Sequence, residues 1–140
     1  MIKIYTDGAY QMKTQAAGLA IIIQSHGQQK QYKIHIAKVF DNHQAEFMAL
    51  DQALRILEAE NLLGESLFFY SDSKIVVQSV EKEYVKEAQY RVLLESILRR
   101  FRLAPLAFIQ WLPEKENKGA DVLAKQALHQ QGKLFTLIDE

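Results

Sequence analysis

The sequence predicts an α/β domain built around a mixed sheet. The first 36 residues contain short β-rich segments, the spacing of apolar residues changes to about 3.6 from Phe47 onward, and short apolar runs then alternate with amphipathic helices. With 140 residues, 49% of them hydrophobic, the chain is long enough for one core and too short for two ordinary domains. We therefore expect one domain over residues 1–132 and a peripheral tail at 133–140.

Three strands are predicted at the start of the chain. Residues 1–6 are β-rich, and the segment Asp7-Gly8-Ala9 interrupts them with a polar break, so Asp7 is expected at the end of a strand. Residues 17–24 and the alternating segment 32–36 are joined by a turn at 25–28, which predicts a hairpin.

The next element is a helix over about residues 44–63, because Phe47, Leu50, Leu54 and Leu57 recur at helical spacing and Gly64 supplies a stop. The later pattern predicts a strand that ends at Asp72, a short helix capped by Ser73, a charged connector, a third helix, a last strand, a polar loop and a final helix. These elements cover residues 67–71, 75–80, 81–87, 90–100, 107–112, 113–118 and 120–128.

Composition limits the function classes. No apolar run approaches the roughly 20 residues that span a bilayer, and no signal-peptide pattern follows Met1, so we expect a soluble, cytoplasmic, monomeric protein without a membrane partner. The chain has no cysteine, which excludes disulfides and thiolate metal sites and favours hard divalent cations. The 17 basic and 17 acidic residues balance, which counts against tight, autonomous nucleic-acid binding.

Four acids are candidates for chemistry, although each also has a structural explanation. Glu46 shares a helical face with apolar residues such as Leu50, but it also suits a first helical turn, where it complements the dipole. Asp7 and Asp72 end β segments and also suit turns or caps. Asp121 lies in the first turn of the last helix, with Asn117 as a plausible N-cap residue.

Considered together, the four acids predict a metal site. Strand ends and helix starts can converge at one edge of a sheet, and four close carboxylates would raise one another's pKa unless a divalent cation neutralised them. Mg²⁺ or Mn²⁺ fits an oxygen-only ligand set. Two such ions about 4 Å apart could activate a water and stabilise the leaving oxygen of a phosphodiester.

Four short segments combine the candidate acids with small and polar residues: residues 5–9 (Tyr-Thr-Asp-Gly-Ala), 41–46 (Asp-Asn-His-Gln-Ala-Glu), 70–73 (Tyr-Ser-Asp-Ser) and 117–124 (Asn-Lys-Gly-Ala-Asp-Val-Leu-Ala). In this order they resemble the motifs of the type 1 ribonuclease H family. Each segment is a weak signal alone, but four in the family's order and approximate spacing are a strong one. The resemblance covers nearly the whole chain.

The resemblance implies a five-stranded sheet in order 3-2-1-4-5 and a two-metal endonuclease. Its substrate would be the RNA strand of RNA/DNA hybrids, cut to leave 3′-hydroxyl and 5′-phosphate ends, with recognition by 2′-hydroxyls and groove shape instead of base sequence. The same mapping makes the four acids the catalytic metal ligands: Asp7, Glu46, Asp72 and Asp121. We expect substrate contacts from five further residues: Gly8, Asn42, His43, Ser73 and Asn117.

The chain departs from the family pattern at three places. The loop before the last helix has no histidine and resembles a short-loop prokaryotic and archaeal branch, where Glu114 or Glu116 is a candidate proton carrier. The basic handle is missing, since residues 81–87 are of mixed charge. His43 replaces the family's second asparagine, where it either contacts nucleic acid or only occupies a helix N-terminus.

Several other residues are expected to lie outside the site. Trp111 could stack on a sugar or base, but it ends an apolar strand and is expected in the core. Arginines of the third helix suit a helix C-terminus on a solvated face, and three histidines are expected at the surface. These residues are Arg99, Arg100, Arg102, His26, His35 and His129.

Two alternative functions remain open at this stage. The absent handle and loop histidine also suit a catalytically weak ribonuclease-H-like module that binds nucleic acid or protein, although the four acids argue against it. The fold could also act on a DNA junction or on double-stranded RNA, since it hosts several polynucleotide chemistries.

Overall fold

The computed structural model describes residues 1–130, so the predicted tail at 133–140 lies outside the described part. No helix within residues 1–130 is long and apolar enough to cross a membrane. Residues 1–130 form five strands and four helices, and a short 3₁₀ turn at Glu114–Glu116 precedes the fourth of these helices. In chain order the elements are β1 (Ile2–Gln11), β2 (Ala16–Ser25), β3 (Gln28–Ile36), α1 (Asn42–Ala59), β4 (Leu67–Ser71), α2 (Lys74–Lys82), α3 (Ala88–Arg102), β5 (Ala107–Trp111) and α4 (Lys118–Leu128).

The five strands form one mixed sheet in the order β3-β2-β1-β4-β5, which confirms the predicted fold class. The first three strands are antiparallel neighbours, and the two-residue turn between β2 and β3 has positive φ at both His26 and Gly27. β4 and β5 each pair in parallel with the strand before them in the sheet. Because β1 and β4 run parallel, the residues that follow their last pair, Thr6 and Ser71, lie side by side.

The prediction that β1 ends at Asp7 is wrong. The strand continues to Gln11, because its antiparallel pairing with β2 extends to the Gln11↔Ala16 pair. Only the parallel pairing with β4 stops early, at Thr6↔Ser71. Asp7 therefore lies in the middle of a strand, one residue beyond the point where β1 and β4 separate.

Helix α1 begins and ends earlier than the predicted 44–63. Asp41 is its N-cap, and the carboxylate accepts a hydrogen bond from the backbone N–H of Gln44. The helix ends at Ala59, and Asn61 then takes a left-handed conformation with φ of 60°. Asparagine tolerates this conformation better than most residues, so it stops the helix before Gly64.

The helices cover the two faces of the sheet unequally. Helices α1, α2 and α3 pack with the strands in the main core, which includes Leu19 and Ile21. Helix α4 covers the opposite face, where Ala20 and Ile22 form a smaller cluster with α4. The backbones of β2 and α4 touch at Gly18, where an added Cβ would lie 2.0 Å from the carbonyl oxygen of Ala124.

Two residues predicted at the surface are buried. His35 is 8% exposed, because α4 covers its side of β3, and its Nδ1 donates a hydrogen bond to the carbonyl of Ala127 at 2.9 Å. Arg100 is 5% exposed between α1 and α3, where it pairs with Glu58 at 2.9 Å and lies 4.0 Å from Asp51. Both burials depend on which helix packs against which surface, and the local pattern does not encode that pairing.

Candidate active site

Three of the four predicted acids converge at one edge of the sheet. Asp7 projects from β1, Asp72 directly follows β4, and Glu46 belongs to the second turn of α1. One carboxylate oxygen from each lies within 4.8 Å of the other two. Glu46 is therefore not a first-turn acid, and its side chain, only 12% exposed, faces the two aspartates.

Gly8 allows this convergence. A Cβ built on Gly8 would lie 2.7 Å from the carbonyl carbon of Ala45 and 2.9 Å from the backbone nitrogen of Glu46. The N-terminal part of α1 therefore rests directly on the backbone of β1, which brings Glu46 beside Asp7. Sequence reasoning assigned Gly8 to substrate contact and missed this spacing role, although a glycine next to a candidate acid is a signal for close approach of two backbones.

Burial and mutual repulsion disfavour full ionisation of the three acids. Burial first, and then the Asp72 carboxylate, raise the pKa of Asp7 to about 8, against the smaller opposing effect of the Gly8 N–H, which donates to Asp7 at 2.9 Å. Burial also raises the pKa of Glu46 and of Asp72. Near neutral pH the cluster therefore holds a proton or requires a positive partner.

A divalent cation suits this cluster. Three carboxylate oxygens within 4.8 Å of one another supply a hard, oxygen-only donor set, which is the kind that Mg²⁺ and Mn²⁺ prefer. The same ion would relieve the charge repulsion that raises the pKa of Asp7. The residues present therefore fit a divalent metal.

Asp121 lies at the margin of this cluster. It is in the first turn of α4, near enough for its charge to raise the pKa of Asp7 and of Asp72. Its carboxylate, however, pairs with Lys125 at 3.1 Å, and it is outside the three-oxygen group. The structure thus brings three of the predicted acids together and places the fourth beside them.

Asn117 occupies the N-cap position of α4, but its side chain does not cap the helix. The amide instead donates to the carbonyl of Thr6 at 3.0 Å and to the Asp72 carboxylate at 3.5 Å. Its Oδ1 is buried and has no hydrogen-bond partner among residues 1–130. Asn117 therefore links α4 to β1 and to Asp72.

Ser73 has the predicted capping role. Its hydroxyl accepts from the backbone N–H of Val76 at 3.3 Å at the start of α2. It also hydrogen-bonds to the Glu46 carboxylate and lowers its pKa, against the larger effect of burial. A single serine thus supports the helix after β4 and contacts an acid from α1.

The N-terminal turn of α1 presents Asn42 and His43 to solvent beside the acids. The Nδ1 of His43 is 3.3 Å from Glu46 Oε1. Tyr90 of α3, which sequence reasoning missed, donates to the carboxylate of Asp41 and places its ring 6.2 Å from that of His43. An apolar-stripe tyrosine gives no sequence signal for such a contact, since its partner is 49 residues away.

The two glutamates proposed as proton carriers lie in the 3₁₀ turn and are exposed. Glu114 is close enough for its charge to raise the pKa of Asp72. Glu116 is at the other end of the same turn. The geometry therefore favours Glu114 over Glu116 for any role at Asp72.

Trp111 is not a core residue, contrary to prediction. It is 38% exposed on the edge strand β5, and its indole N–H donates to the backbone carbonyl of Asp72 at 3.0 Å. The ammonium of Lys74 lies 4.9 Å from the centre of the ring. The register pairs Ser71 with Trp111, so the position of Trp111 beside Asp72 follows from a strand order that periodicity does not show.

Comparison with known proteins agrees with this geometry. The model of the ribonuclease H family matches residues 1–102. EbsB of Enterococcus faecalis is 37% identical over 128 residues, covering 91% of this chain and 94% of EbsB. YpeP of Bacillus subtilis is 26% identical over 137 residues, and the match covers 93% of this chain but 60% of YpeP.

Solved structures with the same fold include LC11 ribonuclease H1, isolated from compost by a metagenomic approach. Its structure is 26% identical, with a TM-score of 0.81 and coverage of 91% of this chain and 94% of LC11. LC11 in complex with an RNA/DNA hybrid is 25% identical, with a TM-score of 0.82 and coverage of 91% and 96%. The fold, the acidic cluster and these matches together show that the chain belongs to the ribonuclease H family.

Proposed function

We propose that this protein is a metal-dependent endonuclease that hydrolyses the RNA strand of RNA/DNA hybrids, leaving 3′-hydroxyl and 5′-phosphate ends. The observation that carries the proposal is the close group of Asp7, Glu46 and Asp72 within a ribonuclease H fold. Membership of the family supports the reaction class, and the hybrid-bound LC11 structure supports the substrate.

Asp7, Glu46 and Asp72 would hold the metal, and Asp121 would join them by exchanging its contact with Lys125 for the ion. Two Mg²⁺ or Mn²⁺ ions, when bound, would activate the attacking water and stabilise the leaving 3′ oxygen. Asn117 would keep the Asp72 carboxylate oriented through its hydrogen bond. None of these roles requires a contact with a nucleic-acid base.

Substrate contacts would come from the exposed start of α1, where Asn42 and His43 lie beside the acids. Their polar side chains suit 2′-hydroxyl and phosphate groups across a wide minor groove, where shape replaces base sequence. We therefore expect little sequence preference. The other three residues proposed to contact substrate, Gly8, Ser73 and Asn117, are buried.

Glu114 is the proposed proton carrier. It is exposed, and its charge acts on Asp72, so it can exchange protons between the site and solvent. Glu114→Gln should lower the turnover rate, whereas Glu116→Gln, the same change two residues away, should leave it near the wild-type value. Equal effects of the two changes would contradict the assignment.

Weak substrate binding is expected because the chain carries no net charge and no basic handle. Residues 83–87 connect α2 to α3, and Arg91 fastens this connector by donating to the carbonyls of Val85 and Lys86. The missing basic handle favours a second candidate function, a catalytically weak module that binds nucleic acid or protein. Binding of the enzyme to a hybrid should therefore be weak and easiest to detect at low salt.

The test is cleavage of a labelled RNA/DNA hybrid at low salt, in Mg²⁺ and separately in Mn²⁺. Asp72→Asn should abolish metal-dependent cleavage, because it removes a metal ligand but keeps the side-chain shape. Glu65→Gln, an exposed change before β4, is the control and should cleave like the wild type. A hybrid that stays intact with both metals would overturn the nuclease proposal in favour of the binding module. Cleavage of duplex DNA or double-stranded RNA in parallel assays would instead change the assigned substrate.

A further inference from the structure

An exposed lysine lies beside the acidic cluster and pairs with none of its carboxylates. Lys74 is the first residue of α2, two positions after Asp72, and its side chain is exposed. None of the ion pairs formed among residues 1–130 includes it. Lys125, in contrast, pairs with Asp121. Within the described part of the chain, the charge of Lys74 therefore neutralises no acid of the site.

Helix stability does not explain this lysine. The first turn of a helix carries a partial positive charge from its unpaired N–H groups, so a cation there is unfavourable. The favourable place for a basic residue on α2 is its last turn, where Lys82 lies. Ser73 already caps the start of the helix, since its hydroxyl accepts from Val76 N–H. The position of Lys74 therefore indicates a role outside the helix.

Trp111 holds the ammonium of Lys74 beside the site. The ammonium lies 4.9 Å from the centre of the indole ring, and the indole N–H donates to the backbone carbonyl of Asp72 at 3.0 Å. The ring therefore connects the lysine to the residue that carries a proposed metal ligand. A cation–π contact at an exposed ring is worth only about 0.5–1 kcal/mol and leaves the positive charge in place. Trp111 thus orients the lysine without neutralising it.

We propose that Lys74 contacts a phosphate of the RNA strand next to the phosphate that is cleaved, and that Trp111 positions it for this contact. The inference rests on the proposed hybrid-nuclease function. The cleaved phosphate would lie at the metal ligands, which include Asp72, so the strand that carries it runs past Lys74. Lysine binds phosphate as a compact charge with three donors and reads no base. The contact would supply part of the affinity that a basic handle would otherwise give.

The first test measures affinity for a short, fluorescently labelled RNA/DNA hybrid by anisotropy, at fixed Mg²⁺ and several salt concentrations. Every protein carries Asp72→Asn, which should prevent cleavage and keeps the backbone carbonyl that Trp111 contacts. Adding Lys74→Gln should weaken binding about three- to tenfold and lower the slope of log affinity against log salt by about one. Adding Lys30→Gln is the control, since Lys30 pairs with Glu60 at the other end of α1 and should change neither quantity.

The second test separates the ring of Trp111 from its N–H group. Trp111→Phe keeps an aromatic face for the ammonium but loses the donor, whereas Trp111→Leu loses both. Because the ring orients Lys74, Trp111→Leu should weaken hybrid binding more than Trp111→Phe does. This difference should vanish in combination with Lys74→Gln. Equal binding by the two Trp111 variants would overturn the positioning role of the ring.

The third test locates the phosphate. A single short run of ribonucleotides within a DNA strand fixes where the protein binds a duplex, because the 2′-hydroxyls are confined to that run. One phosphate at a time is then replaced by an uncharged methylphosphonate. One replacement in the ribonucleotide run should weaken binding, and it should have little further effect with Lys74→Gln, because the contact is already lost. An effect confined to the opposite DNA strand would overturn the assignment.

The outcomes separate this inference from the proposed function. A protein that binds no hybrid would overturn both. Hybrid binding whose affinity and salt slope are unchanged by Lys74→Gln would overturn only the inference, and Lys74 would then serve only its contact with Trp111. Urea unfolding checks that each variant is folded. The exposed position of Lys74 makes a loss of stability from Lys74→Gln small, so weaker binding would report the lost contact.

Discussion

Replacing Asp7 by asparagine should stabilise the protein when no metal is bound. Asp7 is 7% exposed, and its surroundings raise its pKa from 3.8 to about 8, so folding costs this carboxyl its charge at neutral pH. Asparagine has the same shape, and its Oδ1 can keep the hydrogen bond from Gly8 N–H. The substitution therefore removes an electrostatic penalty and leaves the packing intact.

The sign and size of the effect follow from linkage. Below about pH 4 the Asp7 carboxyl is protonated in both the folded and unfolded states and costs nothing. Between about pH 4 and 8 the unfolded state is ionised while the folded state keeps its proton, so the free energy of unfolding of the wild type falls as pH rises. Each pKa unit corresponds to about 1.4 kcal/mol, and coupling to Asp72 reduces the effect of the full shift. We therefore expect the free energy of unfolding of Asp7→Asn to exceed that of the wild type by about 2–4 kcal/mol at pH 8.

Urea unfolding in EDTA at several pH values measures this gain directly. The difference between Asp7→Asn and the wild type should be near zero at about pH 4 and should grow toward pH 8. With Mg²⁺ the wild type should gain stability and the variant should gain less, because the variant lacks one charged ligand. A variant that is no more stable than the wild type at pH 8 in EDTA would refute the argument.

Asp51→Asn is the matched control. Asp51 is as buried as Asp7, but it pairs with Arg55 at 2.9 Å and accepts a hydrogen bond from Ser96. The same chemical change should therefore destabilise the protein, by about 1.5–3 kcal/mol, because it removes the negative charge that Arg55 and the Ser96 hydroxyl contact at a buried position. Opposite signs for the two changes would show that the local electrostatic environment decides the outcome.

Three further changes test the supports of the site. Gly8→Ala should destabilise the protein by about 1–3 kcal/mol, because its Cβ would meet the backbone of α1 at 2.7 Å, and should lower kcat about 100-fold; urea unfolding and hybrid-cleavage kinetics measure the two effects. Tyr90→Phe should cost about 1–2 kcal/mol in urea unfolding, since the Asp41 carboxylate loses its phenol donor. Trp111→Phe removes the hydrogen bond to the Asp72 carbonyl; kcat should fall several-fold with a stability loss under about 1.5 kcal/mol, and an unchanged kcat would argue against a positioning role.

Periodicity and turn chemistry were sufficient to predict most of the fold. The change from strand to helical spacing located α1, and Ser73 marked the start of α2. The order of the strands came from the family resemblance and is confirmed. The end of α1 was missed because Asn61, in a left-handed conformation, stops the helix before the glycine that the sequence offers as a stop.

The sequence predicted which acids form the candidate site but not how they are arranged. The motifs identify Asp7, Glu46 and Asp72, which the fold brings together. The ion pair that holds Asp121 to Lys125 depends on side-chain rotamers, and the position of Trp111 depends on β5 being an edge strand. Sequence periodicity indicates which residues share a face. It does not indicate which surface covers that face or which group a polar side chain contacts.

The two glycine contacts also affect how freely the rest of the chain can change. At Gly8 and Gly18 a helix backbone rests directly on a strand backbone, so the spacing between these layers is set by main-chain atoms. Exchanges among aliphatic residues elsewhere in the core should therefore change the distance between Asp7 and Glu46 very little. A combinatorial library that varies the aliphatic core but keeps both glycines should yield many folded proteins that retain the acidic cluster. The aliphatic core can therefore vary in sequence while the geometry of the acidic cluster stays the same.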